Sequence, residues 1–175
     1  MKSVLLLVLA TWLSGCIQFN QLSSDEPPSD NEAVIVLGVS PPSDLAVETG
    51  ELRNGRWHCT SLLHVANVSS EDGFVVLKLH ARTGTENYAI GQISGGGTSY
   101  GVGNGTDVPV FHAQPGTVTY IGAIRLFQLE KSYRIAKDAS VNRSAAVDLL
   151  SRKYPRLSKD LKDEPLEIVP ADGGC

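Results

Sequence analysis

The sequence predicts a mainly β fold, an immunoglobulin-like or transthyretin-like β-sandwich with one helix near the C-terminus. Three observations carry this. Short runs rich in Val, Ile, Tyr and Phe recur between residues 33 and 136, separated by Gly, Pro, Asn and Asp. Several of these runs alternate apolar and polar side chains, the period of a strand with one face buried. Only the stretch 142–155 places its apolar residues at helical spacing.

AVIVLGV (33–39) is a continuous β-branched run and is expected as a strand covered on both faces. PPSD (41–44) and TGELRNGR (49–56) read as breaks. RWHCTSLLHVA (56–66) is expected as one strand, with Trp57, Cys59, Leu63 and Val65 on one side. His58, Thr60, Leu62 and His64 would then lie on the other. In FVVLKLHAR (74–82), Val75, Leu77 and Leu79 should point inward and Lys78 and His80 outward. NYAIGQIS (87–94) is a weaker strand. SGGGTSYGVGNGTD (94–107) holds six glycines, which makes it a long loop or a glycine-rich hairpin. VPVFHA (108–113) leads into Pro115-Gly116, a type II turn because glycine accepts the positive φ. TVTYIGAIRLFQ (117–128) and LEKSYRIA (129–136) complete the main set, and LEIVP (166–170) is a candidate last strand.

In NRSAAVDLLSRKYP (142–155), Ala145, Ala146, Leu149, Leu150 and Tyr154 share a helical face. Asn142 or Ser140 can cap its start, and Pro155 stops it because the residue before a proline avoids the α region. The helix is expected near 143–154.

Before residue 33 the composition changes. Lys2 is the only charge among the first sixteen residues. The run Val4 to Leu13 is about ten residues long, which suits the core of a signal peptide and falls short of the ~20 that span a bilayer. Leu13-Ser14-Gly15-Cys16 resembles the lipobox of bacterial lipoproteins at all four positions. The resemblance implies cleavage before Cys16, a diacylglyceryl group on its thiol, and an envelope protein held to a membrane through that lipid. Two or three acyl chains hold far more firmly than one. Ile17 stands where an Asp would retain such proteins in the inner membrane, so the resemblance points to the outer membrane. Residues 1–15 are thus the expected signal peptide. Residues 16–31, rich in Ser, Pro, Asp and Asn, are the expected disordered tether, and 32–175 the folded domain.

PGTVTYIGAIRL (115–126), Asp138, Ala146 to Leu150 and KYP (153–155) together resemble a group of proteobacterial lipoproteins with a sandwich domain. That resemblance covers about 40 residues and implies a fold, not an activity.

The formal net charge is −4, and −5 once Lys2 is lost, which argues against nucleic acid as a partner. The Lys and Arg residues after 130 are interleaved with acids and read as a solvated surface. Of three cysteines, Cys59 and Cys175 remain if Cys16 carries lipid. They are a candidate disulfide in an oxidising compartment, although Cys59 also reads as a small buried hydrophobe.

Gly97-Thr98-Ser99-Tyr100-Gly101 matches G-x-S-x-G, and Asp107 and His112 are the acid and base available to it. The motif needs a strand before the serine and a helix after it, and glycines flank it here. A small periplasmic hydrolase using the 94–112 loop is therefore the alternative reading. His58, His64, His80 and His112 lack the close spacing of a zinc motif. Trp57, Tyr88, Tyr100, Tyr120 and Tyr133 leave a peptidoglycan- or glycan-binding module as a further alternative. The leading expectation is a non-enzymatic, lipid-anchored structural or binding module, without catalytic residues, cofactor or metal, that takes a protein or glycan partner in the envelope.

Overall fold

The computed structural model describes residues 19–61, 63–81, 86–101, 103, 105–129 and 133–173. Two β-sheets pack face to face, and one helix covers the outer face of one of them. The fold is the expected β-sandwich with a late helix. Its first sheet runs β10 (Tyr133–Lys137), β9 (Val118–Gln128), β1 (Glu32–Ser40) and β5 (Phe74–His80), with β11 (Leu161–Asp163) also on β9. The second runs β12 (Glu167–Pro170), β8 (Asp107–His112), β6 (Asn87–Gly95), β2 (Asp44–Arg53) and β3 (Arg56–Cys59). In that sheet β4 (Ala66–Ser69) also pairs with β2, and β7 (Thr98–Gly101) with β6.

β1 shows why its sequence is continuously apolar. Ala33, Ile35, Leu37 and Val39 enter the core between the sheets with Val75, Leu77, Leu79, Ile90 and Phe111. Val34 and Val36 point the other way, into a second cluster with Ala146, Leu149 and Leu150 of the helix α1 (Arg143–Lys153). A strand at the centre of three layers has no solvent face. α1 begins where expected: the Asn142 side chain accepts from the Ala145 backbone N–H at 3.2 Å. Asp138, just before it, accepts from the Ser140 hydroxyl and backbone and from Arg125 Nε. The Ser140 hydrogen bond is the main reason its carboxyl lies below the ordinary range.

Three expectations are corrected. TGELRNGR (49–56) is not a break: β2 runs through Arg53, and only Asn54-Gly55, both at positive φ, form the turn to β3. The run 56–66 is not one strand. β3 stops at Cys59, and β4 starts at Ala66. Each pairs with a different half of β2, Gly50–Arg53 and Asp44–Val47 respectively. Moving between those halves requires the intervening loop. The third correction concerns the tether. Residues 19–22 are docked on the domain. Phe19 exchanges backbone hydrogen bonds with Asn67 at 3.2 Å, Leu22 N donates to Val76 O at 3.0 Å, and Leu22 is buried beneath the helix. The reading of 16–31 by composition overlooked Phe19 and Leu22, whose apolar side chains and backbone find the unpaired edges of β4 and β5.

That segment has an architectural role. Phe19 bridges to β4 of the second sheet, and Gln21 bridges to Leu77 of β5 in the first. Residues 19–22 thus strap together the two sheets along one side of the sandwich.

Candidate functional site

The opposite side of the sandwich is open. Between β10 of one sheet and β6, β7 and the start of β8 of the other lies a cleft of about 330 Å³. Ile90, Ile93 and Ile135 give it an apolar lining, while Gln92, Ser99 and Asp107 supply polar groups. Tyr100 and Tyr133 meet edge to face with ring centroids 4.6 Å apart, one ring from each sheet. Such pairs add to the value of the buried area itself. An apolar lining with a few convergent polar groups is the usual character of a ligand-binding cleft.

Local sequence explains the cleft's outer wall. The glycine-rich stretch is a hairpin: Gly96 and Gly97 both take positive φ, so β6 turns directly into β7 and Tyr100 is carried back over the sheet. The Gly97–Gly101 motif therefore lies in a hairpin and not between a strand and a helix. Ser99 takes hydrogen bonds from the Gln92 amide and from the Ser94 hydroxyl, the latter at 2.9 Å. Asp107 and His112 occupy opposite ends of β8, five residues and roughly 17 Å apart along the strand. His112 faces a separate hollow of about 210 Å³ with Glu164 and Glu167. Ser99 and Asp107 line the same cleft, but His112 is not brought to them.

The histidines are dispersed. His58 Nε2 lies 3.5 Å from Asp172, and His64 Nε2 lies 3.3 Å from Glu48 Oε1. Among the described residues no three His, Cys, Asp or Glu side chains converge as metal ligands would. Cys59 is disulfide-bonded, and the other half of that bond falls outside the described residues, as do Cys16 and Cys175.

Glu48 is the residue that sequence reasoning missed. It is 3 % exposed on the outer face of the second sheet. Its carboxyl lies directly over Gly91 of β6, where a Cβ would stand 1.9 Å from Glu48 Cδ, so only glycine leaves room for it. The available signal was an acid within the apolar run LAVETG, which strand alternation alone assigns to solvent. Burial pushes the Glu48 carboxyl above its ordinary value of 4.5, against the opposing pull of His64. The folded chain therefore holds this proton to higher pH than the unfolded chain. Its stabilising effect is present below pH 4.5 and is lost as pH rises through the raised folded value. In urea titrations, the stability of the wild type minus that of Glu48→Gln should fall as pH rises above 4.5. A difference that stays constant or rises would contradict this account.

The class defined by these features is a β-sandwich strapped along one side and carrying an aromatic cleft on the other. No known protein family, curated protein or solved structure matches the chain. Among the described residues no helix is long and apolar enough to cross a membrane.

Proposed function

We propose that the chain is a lipid-anchored protein of the bacterial cell envelope, at the outer membrane, that acts without catalysis as a structural or binding module. The observation that carries the reading is the register of Lys2, the apolar run ending at Leu13, and Ser14-Gly15-Cys16. The cleft between β7 and β10 is the natural seat for a protein or glycan segment. Its tyrosine faces offer stacking area, and Gln92, Ser99 and Asp107 offer hydrogen bonds. Ser99 supports this reading over hydrolysis, because its described partners are an amide and another hydroxyl, neither of which can act as a general base.

The test is fractionation of cells producing the full chain. Wild-type protein should sediment with membranes and Cys16→Ala should not, a shift of about tenfold or more in the membrane-to-soluble ratio, because loss of the acyl chains removes the anchoring energy. Equal sedimentation of the two forms would remove the anchor.

A further inference from the structure

We infer that the strapped side of the sandwich is the side that faces the bilayer, and that the loop carrying Leu63 touches lipid there while the cleft opens away from it. This rests on the anchor at Cys16. Only Ile17 and Gln18 separate Cys16 from Phe19, so the two ends of that link lie at most about 11 Å apart. Phe19 is not free to swing, because its N–H and C=O both pair with Asn67. Asn20 O accepts from Lys78 N at 2.9 Å, and the Asn20 amide donates to Val65 O. The lipid is therefore tied to the side formed by β4 and β5.

The cleft lies across the molecule. In the first sheet three strand spacings separate β5 from β10, and in the second three separate β4 from β7, about 14 Å in each case. A link of about 11 Å fastened to the strapped side holds that side next to the anchor, with the cleft three strands further from it.

Leu63 supplies an independent observation. It is 76 % exposed, the most exposed large apolar side chain among the described residues. It sits in the β3–β4 loop, two residues from Val65, the residue that receives the Asn20 amide. Val65 N in turn donates to Val47 O at 2.8 Å, which holds that end of the loop to β2. An exposed leucine beside the chain's entry to a lipid anchor fits an apolar contact at the acyl boundary, the depth at which peripheral anchors rest.

The experiment uses mature, acylated protein in phosphatidylcholine vesicles whose chains carry bromine near the headgroup. Leu63→Trp and Thr98→Trp report the two sides, and the parent measures the contribution of buried Trp57. Leu63→Trp should lose roughly half of its added emission to bromine, consistent with a site 5–10 Å into the interface, and Thr98→Trp should lose none beyond the parent. The acyl mass on Cys16 is read from the same sample. Acylated protein with equal quenching at both positions would overturn this orientation and leave the anchor standing. Protein with no acyl mass would overturn both.

Discussion

Replacing Cys175 by Ser is expected to lower the melting temperature by roughly 10–20 °C, the largest loss of stability for a substitution outside the core. The chain end returns to β3 shortly before it stops. Trp57 bridges in parallel to Ala171, Asp172 N donates to Trp57 O at 2.8 Å, and Arg56 reaches Ala171 O at 3.3 Å. Asp172 is thus held beside β3, two residues before Cys59 along that strand, and Cys175 follows Asp172 by three residues in the sequence. Cys59 is disulfide-bonded, and we propose Cys175 as its partner. The closed loop would hold more than a hundred residues, for which the loss of unfolded-chain entropy is worth about 4.7 kcal/mol. Calorimetry of the oxidised wild type, the reduced wild type and Cys175→Ser checks this. The reduced protein and the variant should melt together, well below the oxidised form. Ready alkylation of Cys59 in unreduced wild type would end the pairing.

Trp57→Ala should cost about 3–5 kcal/mol in denaturant unfolding, the range for removing a large buried aromatic. Trp57 is 1 % exposed, although it lies outside the space between the sheets. It centres a third cluster on the outer face of the second sheet, with Ala89, Val108, Val110 and Ala171. Its ring rests on Gly50, where a Cβ would come within 2.5 Å of Cζ2. Among the described residues the buried indole Nε1 has no hydrogen-bond partner, so the ring contributes through apolar contact. Trp57→Phe should therefore lose clearly less than Trp57→Ala, because it keeps an aromatic ring and leaves no polar group unpaired. The alanine variant should also speed amide exchange at Asp172, whose N–H is held by the Trp57 carbonyl. A cost below about 1 kcal/mol for the alanine variant would mean that this face is not a core.

The two predictions share a cause that the sequence hides. Trp57 and Cys59 fall at odd positions of one apparent strand, and that alternation correctly puts them on a common side. The run says nothing of the chain end that covers them, more than a hundred residues later. Reading 56–66 as one strand failed for a related reason. A strand pattern records which faces are apolar, not where its partner strand has room. Here β2 offers two separate stretches, and the chain loops from one to the other. β2 (Asp44–Arg53) is not legible in the sequence as a strand, because Glu48, Glu51 and Arg53 look like loop residues. Glu48 is covered by His64 and seated over Gly91, an environment that forms only on folding. The tyrosines of the cleft were legible as aromatics, but the meeting of Tyr100 with Tyr133 depends on two sheets coming together.

The sequence by itself determined β1, whose seven-residue apolar run demands cover on both faces, and α1, whose cap, face and stop are neighbours along the chain. It determined the apolar alternation of β5 for the same reason, whereas the glycine-rich stretch reads equally as a long loop or a hairpin and only the structure shows the turn at Gly96-Gly97. Tertiary structure alone decided that residues 19–22 seal one side and leave a cleft on the other, and that an acid is buried over Gly91. Those outcomes depend on pairs such as Phe19 with Asn67 and Glu48 with Gly91, which become neighbours only once the sheets have closed.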